Sequence, residues 1–270
     1  MKNVTQPTSP ISLLTVGRLL WKPGIIAGVI GGMMLAIVMM ITMGVEGSGF
    51  LSPLNLGLAS FVYTIVPPIS MFPALMGAMG IKLPSSVMSQ LTPALRSGHI
   101  SSAMAHHLGL MLIAMHVPAA KVQMIGELMT GHATNSTVTS ILSSLSLSAR
   151  NAVMSAMPVT AGHLVTGAML HLVMSAIFGV AIFGVIALAS WYRLPGMRSI
   201  FGIIGAGILG GAVIYVVNMY IVLPAINPMM GLVPPLAFFI AHLVFGMVVG
   251  LGAAVTFRSR KLKGILQNAG

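Results

Sequence analysis

Four strongly apolar stretches of this chain, residues 24–43, 162–190, 200–223 and 233–257, each run for twenty residues or more without a single Asp, Glu, Lys or Arg. Nothing else in the sequence restricts the fold as much. Twenty helical residues at about 1.5 Å rise cover about 30 Å, the thickness of a bilayer's hydrocarbon core. In hydrocarbon every backbone N–H and C=O must find its partner inside the protein, and a helix meets that demand within one segment. The first run is too long and too rich in methionine for the apolar core of a cleaved signal peptide, so it is expected to be a retained helix.

Composition agrees. Hydrophobic residues make up 57% and charged residues 6%, with a mean hydropathy of +1.02. Soluble domains carry about 25% charged residues. A chain with so few cannot cover a water-facing surface, which leads to the expectation of an all-α integral membrane protein. There is no cysteine, so disulfides, thiolate metal sites, Fe–S clusters and cysteine nucleophiles are excluded. The 24 methionines are scattered, as suits flexible gap-fillers better than a soft copper(I) site.

Thirteen basic residues stand against only Glu46 and Glu127, for a net charge of +11. In a soluble protein that balance would suggest nucleic acid. Here no nucleic-acid motif is present, and most basic residues flank the apolar runs, where they anchor helices at anionic headgroups. Lys2, Arg18 and Lys22 precede the first run, Arg193 and Arg198 separate the second from the third, and Arg258, Arg260, Lys261 and Lys263 follow the fourth. The loop 224–232 has none. Four crossings with both termini cytoplasmic put nine of the thirteen on the inner side.

The expected organisation is a cytoplasmic segment 1–23 with a short interfacial stretch near 11–21, a single transmembrane domain 24–257, and a basic cytoplasmic tail 258–270. Pro224, Asn227 and Pro228 are expected to end the third helix. Pro234 and Pro235 suit the first turn of the fourth, where amide hydrogens lack helical partners anyway. The insert 45–160 must begin and end outside, so it holds zero or two crossings. Its part 51–80 is apolar but broken by Pro53, Pro67, Pro68 and Pro73; 100–120 carries three histidines; 130–150 is rich in Ser and Thr. A partly helical extracytoplasmic or interfacial insert is expected, with a pair of short or re-entrant helices left open. A Gly-His pair recurs at 98, 131 and 162, and both a decayed duplication and chance in an apolar chain stay open.

Small residues, joined by two histidines, recur every four positions in all four runs: Gly24, Gly28, Gly32 and Ala36 in the first; Gly167, His171, Ser175 and Gly179 in the second; Gly202, Ala206 and Gly210, with Gly207 and Gly211 on a neighbouring line, in the third; His242, Gly246, Gly250 and Ala254 in the fourth. Spacing by four keeps residues on one helix face. Small residues there let backbones approach closely in lipid, where dispersion and polar contacts drive association. A tightly packed bundle is expected, with His171 and His242 on packed faces at similar depth in the outer half of the bilayer. Ser175, Asn218 and Tyr215 complete a candidate polar layer, and Glu46, just past the first helix, is placed to cap it from outside. His163 is eight residues from His171, rotated by about 80° and displaced by about 12 Å, so the two cannot share one ligand.

Three roles for that layer follow: interhelical hydrogen bonds to Ser175 or Asn218 that fix packing, a wet path for a proton or solute, or bis-histidine haem ligation. Close glycine packing argues against a haem-sized gap. Chemistry elsewhere is thin. His106, His107 and His116 lie in poor helical register for one metal ion and lack a nearby carboxylate. Two distant acids make no catalytic pair, the glycine string 202–211 follows no strand, and no serine sits in a G-x-S-x-G setting. No cofactor and no enzymatic activity are expected.

The motifs 171-HLVMSAIFG-179, the basic turn 191–199, 202-GIIGAGILGGAV-213, the proline break 224–235 and 242-HLVFG-246 resemble uncharacterised bacterial multipass inner-membrane proteins, including the YagU-like families. The segments 28-GVIGGMMLAIV-38 and 47-GSGFLSPLNLGLAS-60 resemble the first segment of such proteins. The resemblance covers about half of the chain, omits 61–160, and implies a helical bundle with membrane histidines and no catalytic residue. The reading is a non-enzymatic bacterial inner-membrane protein that binds or passes a small solute or proton at the histidine layer. The alternatives are a structural or assembly subunit, as a homo-oligomer or beside a membrane partner, and a haem-binding protein.

Overall fold

The structure, a computed structural model, describes residues 13–54, 71–97, 100–130, 132–156, 160–197, 199–226 and 231–258. Pro67 and Pro68, Gly98, His99 and Gly131 of the glycine–histidine echo, Arg198, Asn227 and Pro228, and the basic residues beyond Arg258 lie outside the described residues. The described chain is helical, and no strand occurs in it. Its helices in order are α1 (Leu13–Val45), α2 (Phe72–Ala78), α3 (Ser85–Ser97), α4 (Ser102–Ala114), α5 (Ala119–Thr130), α6 (Asn135–Ser144), α7 (Leu147–Ser155), α8 (Ala161–Trp191), α9 (Ile200–Val217), α10 (Leu223–Ile226) and α11 (Pro235–Arg258).

Among the described residues, four helical stretches are long and apolar enough to cross a bilayer: Leu20–Val45, Ala161–Trp191, Ile200–Ile226 and Pro235–Arg258. They fall on the apolar runs 24–43, 162–190, 200–223 and 233–257. The protein is therefore an all-α integral membrane protein. Large side chains such as Val185, Phe201, Leu209 and Val255 stand at least two-thirds exposed, as lipid-facing positions do when dispersion, not water exclusion, holds helices together.

Two helix ends differ from expectation. The described part of the stretch before residue 24 is not a separate element: α1 runs unbroken from Leu13 through Pro23. Proline removes one backbone hydrogen bond, a loss that membrane helices accommodate locally. Likewise Pro224 does not end the third span. The helix widens into a π turn at Asn218–Val222, in which the Leu223 amide donates to the Asn218 carbonyl, and continues as α10 to Ile226. A proline ring crowds the carbonyl four residues earlier, and a π turn just upstream re-routes the hydrogen bonds there. Pro235 opens α11 as its first residue, and Phe238 N–H donates to the Pro234 carbonyl at 3.0 Å.

The chain divides into two compact units, with the boundary inside each long helix. The first comprises the described parts of Met1–Ile37, His171–Val216 and Phe239–Gly270. Its architecture can be read from its glycines. A Cβ added at Gly28 would lie closer than 3.0 Å to the Ser175 carbonyl and to Gly179 Cα, and one at Gly24 would lie 3.0 Å from Val180 Cα. The order 24–180, 28–179 and 32–175 makes α1 and α8 antiparallel. A Cβ at Gly207 would meet Gly246 and Gly250, and one at Gly211 would meet the His242 carbonyl, so α9 and α11 are antiparallel too. Gly31 faces Phe245, Gly252 faces Ala27, and Gly210 faces Ile182. These contacts close a ring α1–α8–α9–α11. They put Lys22, Arg193 and Arg258 at one and the same end of the bundle.

The two glycine lines of α9 serve different neighbours: Gly207 and Gly211 meet α11, whereas Gly210 meets α8. Gly202 belongs to neither contact. It lies against Gly196 and Ser199 at the helix start, where the Ser199 hydroxyl accepts from its amide at 2.9 Å.

The second unit comprises the described parts of Val38–Leu170 and Val217–Phe238. Helices α2 to α7 all lie in it, and none exceeds 13 residues, too short to span. Its centre includes an apolar core of its own, with Phe72, Met76, Leu91, Leu108, Leu112 and Ile125 all buried. Short helices follow from frequent stop signals. Ser101, Thr134 and Ser146 cap the starts of α4, α6 and α7, each side chain accepting from the amide three residues on. His116 ends α4 in the left-handed conformation (φ +60°), with Val117 N–H donating to the Leu112 carbonyl.

If glycine contacts hold the first unit, Gly28→Val should unfold it more easily, by about 1–3 kcal/mol or more as expected for overpacking. Gly184→Ala, where an added methyl meets nothing within 4 Å, should be neutral or slightly stabilising. Thermal unfolding in detergent or nanodiscs compares the two; equal destabilisation would count against the packing scheme.

Candidate functional site

His171 lies on the face of α8 that meets α1. Its Nε2 makes a 2.8 Å hydrogen bond to the Gly32 carbonyl of α1, with the imidazole donating. A helical carbonyl is normally committed to its own helix. Here it takes a second donor because Gly32 has no side chain in the way: a Cβ there would lie 3.6 Å from His171 Nε2 and within 3.0 Å of the Ser175 side chain. Ser175, one turn further along α8, is buried at 4% exposure against the same glycine. His171, Ser175 and Gly32 thus form one contact between two helices.

His242 occupies the α9–α11 side. It is 3% exposed, and its ring lies 6.0 Å from that of Tyr215 in an edge-to-face arrangement. Tyr215 stacks in the same way on Phe239 at 5.0 Å. Such pairs contribute about 0.5–1.5 kcal/mol beyond their buried area. Phe245 faces Gly31, next to the Gly32 that His171 reaches. His242 precedes Phe245 by three residues, so the two histidines sit within about one helical turn in depth. His171 bonds to a backbone carbonyl of α1, whereas His242 meets an aromatic ring of α9. Asn218 is buried in the other unit, at the head of the π turn.

His106, His107 and His116 are exposed on and after α4. Among the described residues no group of three or more His, Asp or Glu is close enough to hold a metal ion. Glu127 has a local role. It accepts from the Thr137 hydroxyl at 2.7 Å and from the Gln123 amide at 3.0 Å, and these bonds hold its carboxyl below the usual range.

A second polar group sits at the C-terminal end of α1. Asn151 of α7 is 8% exposed and donates its amide to the Glu46 carbonyl at 2.8 Å; Ser48 is fully buried and Ser52 nearly so. Sequence reasoning marked Glu46 but not its neighbours. The available signal was 46-EGSGFLS-52, an acid followed by glycines and serines just after an apolar run.

Comparison with known proteins found no matching family model, no matching curated protein and no matching solved structure.

His171→Leu removes the donor to Gly32 and keeps most of the volume. It should lower stability by about 0.6–2 kcal/mol, the range for interhelical polar contacts in membranes. Steric-trap or denaturant unfolding in nanodiscs measures this, and an unchanged value would remove the bond from the account.

Proposed function

We propose that the protein is a non-enzymatic bacterial inner-membrane protein, related to the YagU-like families, whose bundle serves as a close-packed structural or assembly subunit. The observation that carries this reading is the use of His171. Its Nε2 is spent on a backbone carbonyl of the neighbouring helix, in an interface where backbones approach within the space of a methyl group. A side chain held in that way ties two helices and offers neither a haem ligand nor a free step for a proton. Haem would need an imidazole nitrogen aimed across a cofactor-sized gap, and here the Nε2 faces Gly32 instead.

A second reading, passage of a proton or small solute at the layer, is favoured by the burial of His242, Ser175 and Tyr215 at 8% exposure or less. Intramembrane ionisable groups mark such paths by default. The two readings part in liposomes. As a scaffold, the wild type leaks protons no faster than empty vesicles, and the double variant His171→Leu/His242→Leu changes stability or partner retention alone. A wild-type flux that disappears in the double variant would replace the scaffold reading with the transport one.

The orientation proposed is cytoplasmic termini with residues 45–160 on the extracytoplasmic side. It is supported by the positive-inside rule and by the placement of Lys22, Arg193 and Arg258 at one end of the bundle. The chain has no native cysteine, so single cysteines report cleanly. Ser144→Cys should react with an impermeant maleimide from outside, and Ser199→Cys only after permeabilisation. Labelling of both from one side would overturn the orientation.

A further inference from the structure

α1 ends in a backbone motif that fixes the chain at an acidic residue, Glu46. Ser48 N–H donates to the Met43 carbonyl at 2.9 Å and Gly47 N–H to the Gly44 carbonyl at 3.2 Å, with Gly47 left-handed at φ +81°. This is the Schellman closure, and it makes Glu46 the C-cap residue. The Ser52 hydroxyl donates to the Ser48 carbonyl and folds the following turn back on the first. Glu46 follows directly on the candidate span Leu20–Val45.

An acid is the wrong charge for that position. A helix carries about half a negative charge at its C-terminus, so cations are stabilising there and carboxylates are not. The surroundings do not compensate. Among the described residues, Glu46 Oε2, Ser48 Oγ and Asn151 Oδ1 are all buried without a hydrogen-bond partner. Turning the Asn151 amide does not repair this, because it would set Oδ1, which cannot donate, against the Glu46 carbonyl. Asn151 is 92% buried and Ser48 wholly so. Half-buried Glu46 thus turns one oxygen inward beside two buried ones, and a buried oxygen without a partner is costly.

We infer that Glu46, Ser48 and Asn151 form a binding site for a small monovalent cation of the sodium type at the C-terminal end of α1. Carboxylate, amide carbonyl and hydroxyl oxygens are the ligands a hard cation takes. A positive charge there also satisfies the helix end, as at the sodium sites of transporters with broken helices. Valence follows from the acids available. A calcium site gathers six to eight oxygens, usually with several carboxylates, whereas this chain has two acids in all. The second, Glu127, is engaged with Thr137 and Gln123. This inference is independent of whether the bundle is a scaffold or a path.

The test is cation-dependent thermal unfolding of the purified full chain in detergent, at constant ionic strength, with sodium exchanged for choline, together with direct binding of radioactive sodium. Sodium should raise the unfolding temperature saturably, calcium at the same ionic strength should not mimic it, and one sodium should bind per chain. Glu46→Gln keeps the shape and removes the charge, so it should fold and lose both responses. Ser48→Ala, a smaller change, should weaken sodium binding several-fold and serves as the readout if Glu46→Gln does not fold. Equal unfolding in sodium and choline with no bound sodium would overturn the site and leave the three oxygens to ordered water. A calcium response in place of sodium would overturn it as well, and so would undiminished sodium binding in either variant.

Discussion

The approach of helix backbones at glycine is the contact on which the bundle rests. In lipid no solvent is gained by burying one apolar side chain against another, because the hydrocarbon is as apolar as the side chain. What remains is the quality of the contact. At Gly28 with Gly179 and at Gly207 with Gly246 there is no room for even a methyl group between backbones. The ring α1–α8–α9–α11 follows from these contacts and their partners at Gly31, Gly210 and Gly252.

The polar groups follow from the same geometry. His171 reaches the Gly32 carbonyl only because two helices cross where one residue lacks a Cβ. Ser175 is buried at that crossing for the same reason. Across the bundle, Gly211 lies against the His242 carbonyl, and the His242 ring turns to Tyr215. Each histidine is thus bound to a particular helix pair. Small residues set the distance and polar ones set the register, which gives an apolar bundle one arrangement among many of similar hydrophobicity.

Much of this was legible in the sequence. The four spans, their glycine lines and the burial of His242 follow from long apolar runs and a four-residue spacing. What escaped were the features that depend on which neighbour a face meets. Spacing places His171 on a packed face, but it cannot say that the partner is a backbone carbonyl. Backbone atoms leave no mark in the residue pattern except the glycine that exposes them. The same limit applies to α9, whose two glycine lines serve two helices. Pro23 and Pro224 suggest breaks, and both are absorbed into helix, because a membrane helix gains too much from continuity to stop at one lost hydrogen bond. Asn151 lies 105 residues from its partner Glu46, and nothing local in either segment announces the pairing.

The glycine crossings are the origin of both the fold and the polar layer. Proton NMR of glycine-labelled protein in nanodiscs tests that directly, by nuclear Overhauser contacts between the α-protons of Gly28 and Gly179 and between those of Gly207 and Gly246. Backbones in contact predict strong cross-peaks for both pairs. Their absence in folded protein would mean that side chains separate these helices, and the bundle described here would be wrong.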